Sequence, residues 1–305
     1  MNTTIATPLI PRHGLKLKGR ELQNYITAEV KRMRAGKKDY HLKLPAGWQK
    51  SECTIHDITV EEFRTTSRSD LVLLQFHGGG YTGAMHDKWR VSAILQASLV
   101  NAKAAYCVNY RLAPTHVYPS ALEDALAVYS YILEQGTNGG DIILIGDSAG
   151  ANLAIETAMF LRDHGISLPR VLLLQSPWVD LGTSHESIVS NSEKDQILGS
   201  AAPLYPEILN PSYAGSLSVD DPRLSPINGN LAGLPPMLIQ TGGNEIFLSE
   251  DEEFAHKAAR AGVRVTLSIY PGMPHNFGIC LPELEESVQS EYEIRDFVHC
   301  YTENN

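Results

Sequence analysis

The sequence predicts an α/β fold, with a mostly parallel central sheet, helices on both faces and a helical cap. Three observations point to it. Short apolar runs alternate with amphipathic helix patterns from about residue 70 onward. Each run is rich in Val, Ile or Leu and is bounded by Gly, Pro or Asp, as buried strands are. Two segments, 1–45 and 183–230, break the alternation and need a separate place.

The predicted strands are 71–76 (LVLLQF), 104–108, 142–145, 171–174, 237–240 and 265–269. The predicted helices between and after them are 119–134, 149–164, 250–261 and 283–301. Pro119 suits a first helical turn, and Gly136, Gly165 and Gly262 stand where helix C-termini favour glycine. Repeated strand–helix–strand units imply a parallel sheet covered on both faces, with right-handed crossovers. Ligands in such sheets bind beyond the carboxyl ends of the strands. A functional motif should therefore fall just after a strand. Residues 1–45 read as helical, best over 20–34 (RELQNYITAEVKRMR). Residues 183–230 are rich in Ser, Pro, Asn and Asp. Long irregular insertions in compact domains are often lids, and the two segments are read together as a cap over the site.

Composition excludes several classes. The chain has 305 residues, is 43% hydrophobic and 20% charged, and is long enough for a sizeable core. A formal net charge of -10 repels a phosphate backbone, so no nucleic-acid partner is expected. The one basic cluster, Lys31, Arg32, Arg34, Lys37 and Lys38, reads as the solvated end of a helix. No basic start with a long apolar stretch opens the chain, and no apolar run reaches 18 residues. A cytoplasmic protein without membrane association is the expectation. Cys53, Cys107, Cys280 and Cys300 are scattered, with no CxxC pair, which fits reduced and mostly buried thiols better than a disulfide framework or a zinc site. No metal or cofactor is expected.

The central motif is Gly146-Asp147-Ser148-Ala149-Gly150, between the apolar run IILI and the helix pattern ANLAIETAMFL. This is a G-x-S-x-G turn in the strand–turn–helix setting that lifts a serine clear of a sheet. It places the Ala149 N–H at a helix N-terminus, where it can stabilise a developing negative charge. A second motif, His77-Gly78-Gly79-Gly80-Tyr81, directly follows LVLLQF. Its glycines let backbone N–H groups approach a substrate oxygen. Neither phosphate-loop pattern, G-x-x-x-x-G-K-[ST] or G-x-G-x-x-G, is present.

A nucleophilic serine needs a base, and the base needs an orienting carboxylate. Of the 11 histidines, His275 is best placed, in a Pro- and Gly-bounded loop after VTLSIY. His256 and His299 read as surface residues. His77 reads as an orienting residue of the glycine loop. The acid should follow MLIQT, where Glu245, Glu250, Asp251 and Glu252 are candidates. Glu245 comes first after the glycine turn and is assigned. The later three open a helix, where acidic residues favour the dipole for structural reasons alone.

These residues resemble the hormone-sensitive-lipase-like branch of α/β-hydrolases, over roughly residues 70–280. The resemblance rests on HGGGY at 77–81, Asn109-Tyr110-Arg111-Leu112-Ala113-Pro114, GDSAG at 146–150, Ser176-Pro177-Trp178-Val179-Asp180 and GMPHNF at 272–277. It implies an α/β-hydrolase fold with residues 46–305 as the catalytic domain, a cap from 1–45 plus an insertion at about 183–230, and a serine ester hydrolase. A cap of that size predicts small, short-chain acyl esters as substrates rather than a lipid interface. It implies an oxyanion hole from Gly79, Gly80 and Ala149, with Gly78 as a further member. It implies that YRLAP and 119–124 brace the loops around the site. Many relatives carry Asp as the acid in G-x-D-P-L, where this chain has Glu245 in G-N-E-I-F-L. The same constellation would serve a lactonase, deacetylase or amidase. A non-catalytic receptor on this fold would lack the histidine. A homodimer joined through edge strands is a further option in such a family.

Overall fold

A computed structural model describes residues 13–38 and 41–302. Residues 1–12, 39, 40 and 303–305, including part of the 1–45 cap expectation, lie outside the described residues. Among the described residues, eight strands form one sheet in the order β1-β2-β4-β3-β5-β6-β7-β8. They are β1 (Gln49–Ile55), β2 (Ile58–Arg64), β3 (Val72–Phe76), β4 (Ala104–Asn109), β5 (Ile142–Asp147), β6 (Val171–Gln175), β7 (Met237–Gly242) and β8 (Val265–Tyr270). All pairs from β4 to β8 across the sheet are parallel. The β1–β2 and β2–β4 pairs are antiparallel. The helices are α1 (Gly19–Arg34), α2 (Asp87–Leu99), α3 (Ser120–Glu134), α4 (Ala149–Asp163), α5 (Glu186–Ser190), α6 (Tyr205–Leu209), α7 (Leu248–Arg260), α8 (Phe277–Cys280) and α9 (Glu285–Cys300).

The six expected strands and five expected helices form within one or two residues of the predicted bounds. Strand alternation divides the core into two. Val72, Leu74, Phe76, Ile142 and Leu144 pack on one face. Leu73, Ile143 and Ile145 pack on the other. Both faces are buried, so the central strands read as continuous apolar runs. Each Leu or Ile removed from water here contributes roughly 1.5–3 kcal/mol.

Two features were not anticipated. The β1–β2 hairpin turns on His56 and Asp57, both at positive φ (45° and 69°), the geometry of a two-residue hairpin turn. β1 lies at the sheet edge and is mostly exposed, so its sequence QKSECTI carries no strong apolar pattern. Helix α2 buries Trp89, Ser92, Ala93, Ile94, Gln96 and Ala97, a mix of small, polar and large side chains without a clear amphipathic stripe.

The two segments that broke the alternation lie against the same loops. α1 packs Leu22, Ile26 and Val30 on Met273, Phe277, Cys280, Leu281 and Leu284, with Ile197 of the 183–230 segment alongside. The basic cluster at the end of α1 is not wholly solvated. Lys38 is buried against Glu29 at 3.2 Å and Glu283 at 3.0 Å, because a buried carboxylate needs a cation within reach. Cys107 and Cys280 are buried, Cys53 is half-buried and Cys300 exposed. Among the described residues, no helix is long and apolar enough to cross a membrane.

Candidate active site

Ser148 sits between β5 and α4 at φ 54°, ψ -122°, a conformation that a serine adopts only when the surrounding fold compels it. The fold compels it through close approach. A Cβ on Gly146 would lie 2.2 Å from the Gly150 carbonyl oxygen, and one on Gly150 would lie 2.1 Å from that of Phe76. The Ser148 N–H donates to the Gln175 carbonyl at 3.0 Å, and its own carbonyl accepts the amides of Ala151, Asn152 and Trp178. The turn is thus held from β6 as well as from its own helix.

His275 lies in the loop after β8 and is 3% exposed. Its Nδ1 is 3.2 Å from Glu245 Oε2, and the Thr241 hydroxyl donates to the other oxygen, Glu245 Oε1. Phe247 meets the imidazole edge-on, with ring centroids 5.2 Å apart, and Trp178 stacks behind Phe247. A buried imidazole fixed by a carboxylate on one nitrogen presents the other to a reacting group. Of the four carboxylate candidates, Glu245 alone hydrogen-bonds His275 among the described residues. Glu250 and Asp251 are fully buried rather than solvated at a helix start. Glu250 Oε1 accepts the amides of Val179 and Asp180. Asp251 lies behind Glu245, and burial followed by the charges of Glu245 and Glu250 raises its pKa well above the usual carboxylate range. His256 is exposed and His299 half-buried, both away from this cluster.

The glycine loop turns back over the elbow. Among the described residues, the N–H groups of Gly79, Gly80 and Ala149 have no protein acceptor, so they are available to a substrate oxygen. Gly78 departs from the expectation. Its N–H donates to Asp147 Oδ1 at 2.9 Å and is already used. His77 is buried, with Nδ1 2.7 Å from the Gly78 carbonyl oxygen and its ring stacked on Tyr110. Burial pulls its pKa down to about 4, so the ring is neutral and acts as part of the scaffold.

The braces implied for YRLAP and 119–124 take a specific form. Tyr110 Oη donates to the His77 carbonyl, and the Ala113 N–H donates to that of Tyr81. The Arg111 N–H donates to Asp124 Oδ2 at 2.7 Å, while its guanidinium pairs with the same carboxylate. Tyr81 Oη donates to Asn152 Oδ1 at 2.7 Å, and Asn152 Nδ2 donates to the Trp178 and Leu224 carbonyls.

Several residues gain a role that motif reading did not supply. Asp147 Oδ2 accepts Trp89 Nε1 at 3.1 Å and Asn276 Nδ2 at 2.7 Å. One carboxylate therefore joins the glycine loop, α2 and the His275 loop. Asn191 and Asp195, from the 183–230 segment, bond the loops of Glu245 and His275. Asp147 was visible as a member of GDSAG, but its partners are distant in sequence. Asp195 lies in a Ser- and Asn-rich stretch with no periodicity to mark it. No group of three or more His, Cys, Asp or Glu with metal-site geometry occurs among the described residues.

The family described as alpha/beta hydrolase fold matches residues 73–279. An esterase of Acinetobacter venetianus is 34% identical over 241 residues, covering 78% of this chain and 77% of the relative. An acetyl-hydrolase of Streptomyces hygroscopicus is 34% identical over 237 residues, covering 76% and 77%. The crystal structure of an esterase from the bacterial hormone-sensitive lipase family superposes with a TM-score of 0.83 at 27% identity, covering 93% of this chain and 99% of that one. The chain belongs to the α/β-hydrolase-fold family, in its hormone-sensitive-lipase-like branch, and is a hydrolase of carboxylesterase type.

Proposed function

We propose that the protein hydrolyses small, short-chain acyl esters through an acyl-enzyme on Ser148. His275 takes the hydroxyl proton as Ser148 attacks the ester carbonyl. Gly79, Gly80 and Ala149 donate their N–H groups to the oxyanion of the tetrahedral intermediate. His275 then gives the proton to the leaving alcohol, and water, deprotonated by the same imidazole, releases the acid. Glu245 fixes the tautomer and stabilises the imidazolium. The observation that carries this reading is the buried Glu245–His275 pair at 3.2 Å, on the loops after β7 and β8, at the same end of the sheet as the Ser148 turn.

The preference for small substrates rests on the 183–230 segment, read with α1 as a cap. Leu204 approaches within 3.3 Å of the place a Cβ on Gly80 would take, and Tyr213 stacks on Tyr81 with centroids 3.7 Å apart. A segment seated on the oxyanion loop leaves little length for an acyl chain. The relative named an acetyl-hydrolase points the same way. No cofactor enters the reaction.

The test is hydrolysis of p-nitrophenyl esters of increasing chain length by the wild type and Ser148→Ala. The expected result is peak turnover at short chains, loss of at least about 10⁴-fold in the variant, and covalent labelling of wild-type Ser148 by a fluorophosphonate. Full activity in Ser148→Ala would overturn the mechanism. Peak turnover on long-chain triglyceride would overturn the substrate preference.

A further inference from the structure

We infer that Asp195, assisted by Asn191, is a positioning residue that sets the geometry of the Glu245–His275 pair, so that full turnover requires the 183–230 segment to be docked. The inference rests on the roles given above to Ser148, Glu245 and His275.

Glu245 and His275 leave different strands, β7 and β8, on separate loops. Their contact therefore depends on how the two loops are held relative to one another. Asp195 spans them. Its carboxylate is 3% exposed and accepts four amides. Oδ1 takes the N–H groups of Ile197 at 3.1 Å, Leu198 at 3.0 Å and His275 at 3.3 Å. Oδ2 takes that of Ile246 at 3.1 Å. Ile246 directly follows the acid, and His275 is the base itself. One planar group thus fixes the backbone beside both.

Asn191 completes the clamp. Its Nδ2 donates to the Glu245 carbonyl at 3.0 Å, and its own carbonyl accepts the Asp195 N–H at 2.8 Å. Lys194 Nζ donates to Asn191 Oδ1 at 2.9 Å, which orients the amide. Asp195 and Asn191 therefore reach the acid loop through two bonds and the base loop through a third, and Ser187 Oγ of the same segment also donates to the Ile246 carbonyl at 2.7 Å. None of these residues touches Ser148 in this arrangement of bonds; they act through the positions of Glu245 and His275.

The substitution Asp195→Asn keeps the shape but changes the chemistry. Asparagine can accept on one side only, and its NH₂ meets an N–H donor on the other. One loop loses its tether. Displacing a catalytic group by about 1 Å can lower the rate by about 10²-fold.

The experiment measures p-nitrophenyl acetate hydrolysis, per active site titrated with a fluorophosphonate, for the wild type, Asp195→Asn and Asn191→Ala. For Asp195→Asn the expected result is a kcat lower by about 10–100-fold with a KM within about threefold. Asn191→Ala keeps all four Asp195 bonds, so it tests the clamp even where Asp195→Asn does not fold. It should lower kcat at least about threefold. Unchanged kcat and KM per titrated site in both variants would overturn the inference, since a merely structural role would lower only the melting temperature. A wild type that neither hydrolyses the ester nor labels at Ser148 would instead overturn the reading of the site.

Discussion

The Gly78 amide donates to Asp147 Oδ1 at 2.9 Å, so the glycine loop is tied to the turn that carries Ser148. The bonded residues lie 69 positions apart, and the bond holds the start of the glycine loop against the serine turn. It also withdraws Gly78 from direct contact with a substrate oxygen.

Replacing Asp147 by Asn should therefore impair catalysis more than binding. The carboxylate accepts from Gly78, Trp89 and Asn276, and an amide NH₂ must face one of these donors. The expected outcome is a kcat lower by about 10–100-fold and a loss of about 1–3 kcal/mol in stability. Steady-state kinetics and urea unfolding check it. Wild-type kcat in a stably folded variant would refute it.

The elbow tolerates no side chain at Gly150. A Cβ there would stand 2.1 Å from the Phe76 carbonyl oxygen and 2.6 Å from that of His77, both backbone atoms at the end of β3. Relief requires moving a central strand. Gly150→Ala should lose at least about 3 kcal/mol, visible as a lowered urea midpoint or a failure to recover soluble protein. A melting curve equal to wild type would contradict the packing described.

Stability should depend on pH through Glu291. Its carboxyl is buried, with Gln96 Nε2 near Oε1 at 3.2 Å, and burial raises its pKa to about 8. The folded pKa lies above the unfolded one. The contribution is therefore fully present below the ordinary carboxylate range and is lost as pH rises toward 8. Glu291→Gln removes this dependence. Relative to wild type, the variant should gain more than about 2 kcal/mol between pH 5 and pH 8.5, read from urea unfolding at both. An equal difference between the proteins at the two pH values would show that Glu291 does not titrate in this window.

The legible part of the fold was the part whose signals are local. Buried parallel strands announce themselves as short runs such as LVLLQF and IILI, because both of their faces are covered. The edge strand β1 did not, because one edge and most of its side chains meet water. Helix α2 stayed hidden because it buries Ser92 and Gln96 among its apolar residues. Candidate site residues followed the same rule. Ser148 and the glycine loop were singled out from contiguous motifs, and His275 and Glu245 from their places just after strands. The bond from the Gly78 N–H to Asp147 was not legible, since the two residues lie far apart along the chain.

The sequence by itself determined the six buried parallel strands and five of the helices, the strand–turn–helix setting of Ser148, the glycine loop and the loops that bear Glu245 and His275. These depend on turn chemistry and on periodicity, which act between near neighbours. Only the tertiary structure decided which carboxylate meets the imidazole, which amides stay available, and that Asp147 and Asp195 hold the loops together. Those outcomes depend on contacts between residues tens of positions apart. Such contacts are set by the sheet order and by burial, where an unpaired donor or carboxylate is too unfavourable to leave without a partner.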